Sequence, residues 1–217
     1  MVTIVIALIV GYLIGAIPSG YIYGKIKGID VRKVGFKRIG ASNIYKTFGF
    51  IPAILVFFAD FLKPILAIFI TRVICGWEVP SLFPHIAGIF AIIGHNWPVW
   101  LKFQGEGRGI ASSLGFLYFL VPTEVIIVFV ILFPIGVWLK STAFLTFVFF
   151  CITPFVVLSF NEPISVFWLS VIVAILTFIT RVVKGIKEIK AAENKRNVVF
   201  NLLFFDSHET QQLRKVK

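Results

Sequence analysis

Apolar runs long enough to cross a lipid bilayer fill most of this 217-residue sequence. A helix needs about 20 mainly apolar residues to cross the hydrocarbon core of a membrane. Residues 48–75 and 84–101 are such runs, and residues 2–17 form a slightly short one that the interfacial Tyr21 and Tyr23 extend. Residues 110–180 form a longer apolar stretch. With 59% hydrophobic and 14% charged residues, the chain is far more apolar than soluble domains, whose apolar share is about 45–50%. We therefore expect an all-α integral membrane protein.

The long apolar stretch is cut at three places, by Pro122-Thr123-Glu124, Lys140-Ser141 and Asn161-Glu162-Pro163, which leaves four segments and seven spans in all. If residues 25–46 are cytoplasmic, 19 of the 21 Lys and Arg fall on that side of the membrane, and the other two lie inside the second run. Because Lys and Arg concentrate in cytoplasmic loops, seven spans with the N-terminus outside and the C-terminus in the cytoplasm are favoured over six.

This topology predicts a seven-span membrane domain over residues 1–180, with functional cytoplasmic loops at 25–47 and 102–109. A basic cytoplasmic tail, residues 181–217, then lies on the inner membrane surface. We expect a monomer that crosses the cell (plasma) membrane several times.

The net charge of +11 lies almost wholly between the apolar runs, where it fits anionic lipid or anionic substrates better than nucleic acid. The two cysteines, Cys75 and Cys151, stand in separate apolar runs without metal-type spacing. No nucleic-acid partner, no metal and no organic cofactor is expected.

The first polar break, residues 25–46, holds seven Lys and Arg together with three glycines. We call this segment the basic loop. Ser42 or Asn43 can cap the helix that follows, and the N–H groups at a helix N-terminus, together with its dipole, bind anions. Arg38 and Lys46 add cationic groups beside them. The plainer alternatives are positive charges that only set the topology, and ordinary helix capping.

The second polar break, residues 104–109, is called the glycine loop. Gly105, Gly107 and Gly109 alternate with Glu106 and Arg108. Without Cβ atoms the backbone N–H groups can turn toward a phosphate, and Arg108 can bind it through two parallel hydrogen bonds. The loop is not a Walker motif. A simple interfacial turn, the alternative, needs only one glycine.

Ionisable residues also lie within the apolar runs. Asp60 and Lys63 are three apart and share a helical face, and His95 lies near the inner end of the third run. Ionisable groups at membrane depth cost about 2.5–3.5 kcal/mol each and usually mark a functional interior. A mutually neutralising structural pair, and a histidine bonded to a helix carbonyl, are the alternatives.

These motifs resemble, in order and in spacing, the PlsY family of bacterial acyl-phosphate:glycerol-3-phosphate acyltransferases. The resemblance covers about residues 10–115 and agrees with seven spans. It is carried by Ser19-Gly20, Gly24-Lys25, Lys27-Gly28-Ile29-Asp30-Val31-Arg32-Lys33-Val34-Gly35, Ile39-Gly40-Ala41-Ser42-Asn43, Ala59-Asp60-Phe61-Leu62-Lys63, Gly94-His95, Pro98-Val99-Trp100 and Arg108-Gly109-Ile110-Ala111-Ser112.

The resemblance implies transfer of an acyl group from acyl phosphate to the 1-hydroxyl of glycerol 3-phosphate, which gives lysophosphatidate for phospholipid biosynthesis. Because acyl phosphate is already activated, positioning and neutralisation of phosphate charge can supply most of the catalysis. The implied catalytic residues are His95, Asp60 and Arg38, with His95, Asp60 or the acceptor's own phosphate as proton acceptor. The implied substrate-binding residues are Ser42, Asn43, Lys46, Lys63, Gly105, Gly107, Arg108 and Gly109.

The chain departs from the family pattern at several positions. Phe36 replaces the family's Ser, Lys46 replaces an Arg, the family's Gly-Gly-Lys-Gly loop is one residue longer here, and residues 181–185 replace its Arg-His-Arg-Glu-Asn. The alternative function is therefore a similar protein without this activity, one that binds lipid or phosphate or transports a small anion. The buried positions of Asp60, Lys63 and Arg72 would suit a transport path.

Overall fold

The computed structural model describes residues 2–76, 82–104, 107–139 and 142–191, and within these ranges the chain is helical without a β-strand. The expected all-α fold is confirmed. The helices are α1 Val2–Ala16, α2 Ser19–Ile26, α3 Ala41–Phe48, α4 Phe50–Cys75, α5 Leu82–Asn96, a 3-10 helix Val99–Leu101, α6 Ile110–Leu120, α7 Pro122–Leu139, α8 Thr142–Ser159 and α9 Ile164–Ala191.

Two of these helices are long and apolar enough to cross a membrane, α4 and the Ile164–Gly185 part of α9. A third span results if α1 and α2 act together, although the two helices are bent by 42°. The bend falls at Ile17 and Pro18, and Pro18 has no N–H to continue the helical ladder. The apolar segments Ile110–Leu120, Pro122–Gly136 and Phe144–Ser159 are shorter. The number of spans and the orientation of the termini stay predictions.

The first compact unit, residues 1–119, is built on close packing of α1, α4 and α5. Gly11 and Gly15 of α1 lie against the backbone of Ala87 and Ala91 of α5, and a Cβ atom at either glycine would overlap the facing residue. Small residues spaced four apart allow two membrane helices to approach closely. On α6, Gly115 lies equally close to the α4 backbone.

One hydrophobic cluster connects the basic loop to the segment just before the glycine loop. Buried side chains of the basic loop pack in it with Leu101 of the 3-10 helix and with the start of α4; the cluster comprises Val31, Ile39, Ile44, Ala53, Val56 and Leu101. The two polar breaks therefore lie at the same end of this unit.

The second compact unit, residues 120–217, contains α7, α8 and α9 packed in succession. Phe147 of α8 contacts Phe178 of α9, with ring centroids 6.3 Å apart. Helix α9 continues without a break past residue 180, where the sequence suggested a boundary, as far as Ala191. The remainder of the predicted interfacial tail, residues 192–217, lies outside the described residues.

Candidate active site

Asp60 of α4 is the centre of a buried ionic cluster. Its Oδ1 atom lies 2.5 Å from Lys63 Nζ and 3.5 Å from His95 Nδ1, and its side chain is only 2% exposed. Lys63 Nζ also donates a hydrogen bond to the Ile17 carbonyl oxygen, at 2.5 Å. The cluster thus joins α4 and α5 to the bend after α1. Buried charges persist when they are paired and hydrogen-bonded, as these are.

The imidazole of His95 links this cluster to the glycine loop. Its Nδ1 faces Asp60, whereas its Nε2 lies beside Gly107, so close that a Cβ atom there would be 3.1 Å from Nε2. A carboxylate next to one ring nitrogen fixes the orientation of the ring. His95 is therefore placed to accept a proton on the side that faces the glycine loop.

Both polar breaks fold over a buried asparagine. Gly35 packs on Asn43, and Gly109 packs on Asn96; both asparagines are fully buried. The glycines have positive φ angles of 60° and 73°, a conformation that L side chains rarely adopt, and a Cβ atom at either would overlap the asparagine Oδ1. Only glycine fits these two positions, so the shape of each loop depends on it.

Asn43 orders the basic loop through three hydrogen bonds to backbone atoms. Its Oδ1 accepts from the Phe36 N–H at 2.6 Å, and its Nδ2 donates to the carbonyl oxygens of Val31 and Arg38, at 2.8 and 2.7 Å. The expectation that Ser42 or Asn43 caps α3 was wrong. Gly40 is the N-cap residue and no side chain bonds there, because the Asn43 amide is directed back to the loop. Ser42 is exposed.

Phe36 and Lys46, two of the positions that depart from the family pattern, contact each other. Lys46 Nζ lies 4.3 Å from the centroid of the Phe36 ring. An ammonium over an aromatic face is attracted by about 0.5–1 kcal/mol at exposed sites. The ring therefore holds the Lys46 charge beside the loop that Asn43 orders.

The first half of the basic loop is arranged differently, around an ion pair of its own. Arg32 donates to both carboxylate oxygens of Asp30, at 2.9 and 2.8 Å, and its guanidinium lies 4.6 Å from the Tyr21 ring centroid. The hydrogen bonds from Arg32 hold the pKa of Asp30 well below its usual range.

The glycine loop follows two residues with left-handed backbone. Lys102 and Phe103 have φ angles of 52° and 62°, and such non-glycine conformations cluster at functional sites. Arg108 is partly buried directly before Gly109 and the start of α6. Gly105 lies outside the described residues.

Two site residues were missed by the prediction, Asn96 and Ser112. Ser112 Oγ donates to the Asp60 carbonyl oxygen at 2.9 Å and so connects α6 to the ionic cluster. Signals were present in the sequence, since Asn96 follows His95 and Ser112 is a hydroxyl residue at the start of an apolar helix. In the described ranges, no group of three or more His, Cys, Asp or Glu side chains could hold a metal.

The helices and the site define a class of protein: an all-helical membrane protein in which a glycine loop adjoins a buried Asp–Lys–His cluster and a basic loop lies at the same end of the unit. Comparison with known proteins narrows this class. The sequence model of the glycerol-3-phosphate acyltransferase family matches residues 5–192. The chain belongs to this family.

Named relatives and solved structures agree with that assignment. The glycerol-3-phosphate acyltransferase of Halalkalibacterium halodurans is 37% identical, over 78% of this chain and 84% of its own length. Glycerol-3-phosphate acyltransferase 2 of Moorella thermoacetica is 35% identical, over 73% of this chain and 79% of its own length. The crystal structure of PlsY (YgiH), an integral membrane glycerol 3-phosphate acyltransferase in its glycerol 3-phosphate form, has a TM-score of 0.72 and 26% identity. That match covers 84% of this chain and 92% of PlsY.

Proposed function

We propose that this chain transfers an acyl group from acyl phosphate to glycerol 3-phosphate and releases lysophosphatidate and inorganic phosphate. The observation that carries the proposal is the placement of His95 between Asp60 and Gly107. Family membership and the likeness to PlsY in its glycerol 3-phosphate form support the choice of acceptor.

In this reaction the 1-hydroxyl oxygen of glycerol 3-phosphate attacks the carbonyl carbon of acyl phosphate. A new ester C–O bond forms, the bond from the acyl carbon to the phosphate oxygen breaks, and the electron pair leaves with phosphate. The hydroxyl proton passes to His95 Nε2, and Asp60 stabilises the imidazolium that forms. The chemistry needs no nucleophilic side chain, because the donor is already a mixed anhydride.

The two loops hold the phosphate groups. Arg38 and Lys46 of the basic loop, Arg108, and the backbone N–H groups of Gly107 and Gly109 supply positive charge and donors. Gly105 is assigned the same role on its sequence position. Ser42 and Asn43 shape the basic loop for the substrate, Asn43 through its three backbone bonds.

Lys63 acts on substrate only through Asp60 in this scheme. Its side chain is 5% exposed and is bonded to Asp60 and to the Ile17 carbonyl oxygen, so its first role is to hold the carboxylate in place. A direct contact of Lys63 with phosphate, the earlier prediction, would require this pair to open.

The loops lie on the cytoplasmic side in the arrangement that we propose. It has seven spans over residues 1–180, an external N-terminus, a cytoplasmic C-terminal tail at 181–217, and a monomer in the cell membrane. The distribution of Lys and Arg supports this orientation, since 19 of 21 then face the cytoplasm. The shared hydrophobic cluster supports placing both loops on one side.

Acyl transfer is tested with purified protein in lipid vesicles, labelled glycerol 3-phosphate and acyl phosphate. We expect labelled lysophosphatidate and an equal amount of inorganic phosphate. Flux of an anion into sealed vesicles without any new lipid would instead support transport and would contradict the proposal.

The phosphate assignment is tested by Arg108→Ala with Lys33→Ala as the matched control, since Lys33 is an exposed cation of the basic loop with no assigned role. A charge-assisted hydrogen bond is worth about 1.5–3 kcal/mol, so Arg108→Ala should raise KM for a phosphate substrate at least about tenfold. Unchanged KM in Arg108→Ala would refute the assignment of this residue.

A further inference from the structure

The turn that precedes the glycine loop has an exposed outer side with no role in the scheme above. We call residues 98–103 the aromatic turn. The carbonyl oxygen of its first residue accepts hydrogen bonds from the N–H groups of Leu101 and Phe103, at 3.1 and 3.0 Å. Leu101 packs in the buried cluster and is 8% exposed, whereas Trp100 and Phe103 are each 59% exposed and Lys102 is also exposed. The turn therefore has a buried apolar side and an outward face of two rings and one ammonium.

This outward face depends on a strained backbone. Lys102 and Phe103 have left-handed φ angles of 52° and 62°, which Gly, Asn and Asp tolerate better than other residues. Asn161 in the second unit is such a tolerant residue, with a φ of 57°. A turn that needed only this backbone shape would be more stable with glycine at Lys102. The two side chains therefore have a role that the backbone shape alone does not explain.

The aromatic turn lies at the level where a candidate span enters the membrane. Helix α4 has 26 residues and is about 39 Å long at 1.5 Å per residue, whereas the hydrocarbon core is about 30 Å thick. A centred α4 thus leaves about three residues at each end in the headgroup layer, which puts Ala53 at the boundary. Ala53 belongs to the same buried cluster as Leu101. The outward face of the turn is therefore beside the lipid headgroups.

This end of the first unit is positively charged. Within the described residues, no acidic side chain pairs with Lys102. The adjoining basic loop carries seven Lys and Arg against one acid, Asp30, which is already paired with Arg32. Aromatic side chains are typical of the membrane interface, and lysines there attract anionic lipid. An anionic lipid surface is therefore the partner that complements this face.

We propose that the aromatic turn binds the headgroup layer of an anionic bilayer. The Trp100 and Phe103 rings lie among the upper methylenes of two-chain lipids, and the Lys102 ammonium binds the phosphate of a lipid with net negative charge. The contact goes beyond acyl transfer, since it needs neither substrate. It also fixes the start of the glycine loop, because the Gln104 N–H donates to the Leu101 carbonyl oxygen at 3.0 Å.

The test uses phosphatidylglycerol with a photoreactive diazirine in its headgroup, added as a minor component to phosphatidylcholine nanodiscs that hold the purified protein. Labelled peptides should include residues 98–103. Lys102→Gln should reduce labelling of this segment about fivefold, which is the contribution of one lysine near a membrane surface to the binding of anionic lipid. Lys102→Arg keeps the charge and should be labelled as strongly as the wild type.

Two further variants separate the side chains from the strained backbone. Lys102→Gly relieves the left-handed conformation, so the midpoint of thermal unfolding should be at or above that of the wild type while labelling falls as in Lys102→Gln. Phe103→Ser should also reduce labelling about fivefold, because apolar surface is lost from the lipid contact. The matched control, Phe160→Ser, removes an exposed ring beside the left-handed Asn161 and should change labelling of residues 98–103 by less than about twofold.

Equal labelling of the wild type and Lys102→Gln would overturn the proposal. So would equal labelling of residues 98–103 by a phosphatidylcholine probe with the same diazirine, since the contact would then be with membrane lipid of any charge. A cross-link from this segment to a second protein chain in place of lipid would assign the surface to a protein partner and would also overturn it.

Discussion

The Asp60–Lys63 pair predicts a strong energetic coupling between two buried charges. Asp60→Leu leaves the Lys63 side chain, which is only 5% exposed, without its carboxylate partner, and Lys63→Met leaves Asp60 without its ammonium partner. Breaking a buried ion pair from one side costs about 3–5 kcal/mol, whereas replacing both partners by apolar residues is often nearly neutral. The double variant should therefore be more stable than either single variant.

The structure indicates that each single substitution lowers the free energy of unfolding by an amount near the lower end of that range. Lys63 keeps the Ile17 carbonyl oxygen as an acceptor, and Asp60 keeps His95 at 3.5 Å. A loss of about 3 kcal/mol lowers the midpoint of thermal unfolding, Tm, by roughly 6–12 °C in a chain of this size. For the double variant, a Tm within about 4 °C of the wild type is expected.

Thermal unfolding followed by tryptophan fluorescence in detergent measures these shifts. The control is Thr71→Val on the same helix, because Thr71 is also buried but donates to a neutral acceptor, the Ala67 carbonyl oxygen. This substitution should lower the free energy of unfolding by about 1 kcal/mol. A double variant whose Tm falls by the sum of the two single losses would refute the coupling. Restored stability should come without restored turnover, because Asp60 also orients His95; full turnover in the double variant would refute that role.

Three further outcomes are expected. Gly109→Ala should lower both Tm and turnover, because a φ of 73° and the overlap with the buried asparagine leave no room for a methyl group. In the control, Gly40→Ala, the added methyl group meets no atom within 4 Å, so the free energy of unfolding should fall by less than about 1 kcal/mol. Phe36→Leu should raise KM for a phosphate substrate about two- to fivefold by releasing Lys46, whereas Phe36→Trp should not. Asp30 has a folded-state pKa below that of the unfolded chain, so its stabilising contribution is present above about pH 4 and is lost as the pH falls through the folded pKa. The Tm of Asp30→Asn should therefore fall less than that of the wild type when the pH is lowered below about 4. An equal fall of Tm in both proteins would contradict the ion pair.

The helix boundaries could be predicted where a proline or a charge interrupts an apolar run. The cut proposed at residues 122–124 coincides with the start of α7 at Pro122, and the cut at 161–163 coincides with the gap before α9. Helix α3 was only anticipated as the start of an apolar helix, because half of its eight residues are polar and it ends at a glycine with a φ of 91°. The division of the first run into two bent helices was missed for a similar reason, since Tyr21 and Tyr23 continue its apolar character past Pro18.

The site could be predicted in part. The three-residue spacing of Asp60 and Lys63 indicated their pairing, because such residues share a helix face. The approach of His95 depends on the packing of α4 against α5, which no local pattern encodes. The same holds for Asn96, whose contact with Gly109 brings together residues on either side of the glycine loop.

The most direct test of the central claim is the affinity for glycerol 3-phosphate, measured by calorimetry on the purified wild type and on Arg38→Ala and Arg108→Ala. If both loops hold substrate phosphates at one site, each substitution removes a charge-assisted contact and weakens binding about tenfold or more. Affinity that is unchanged when either arginine is removed would contradict a site shared by the two loops.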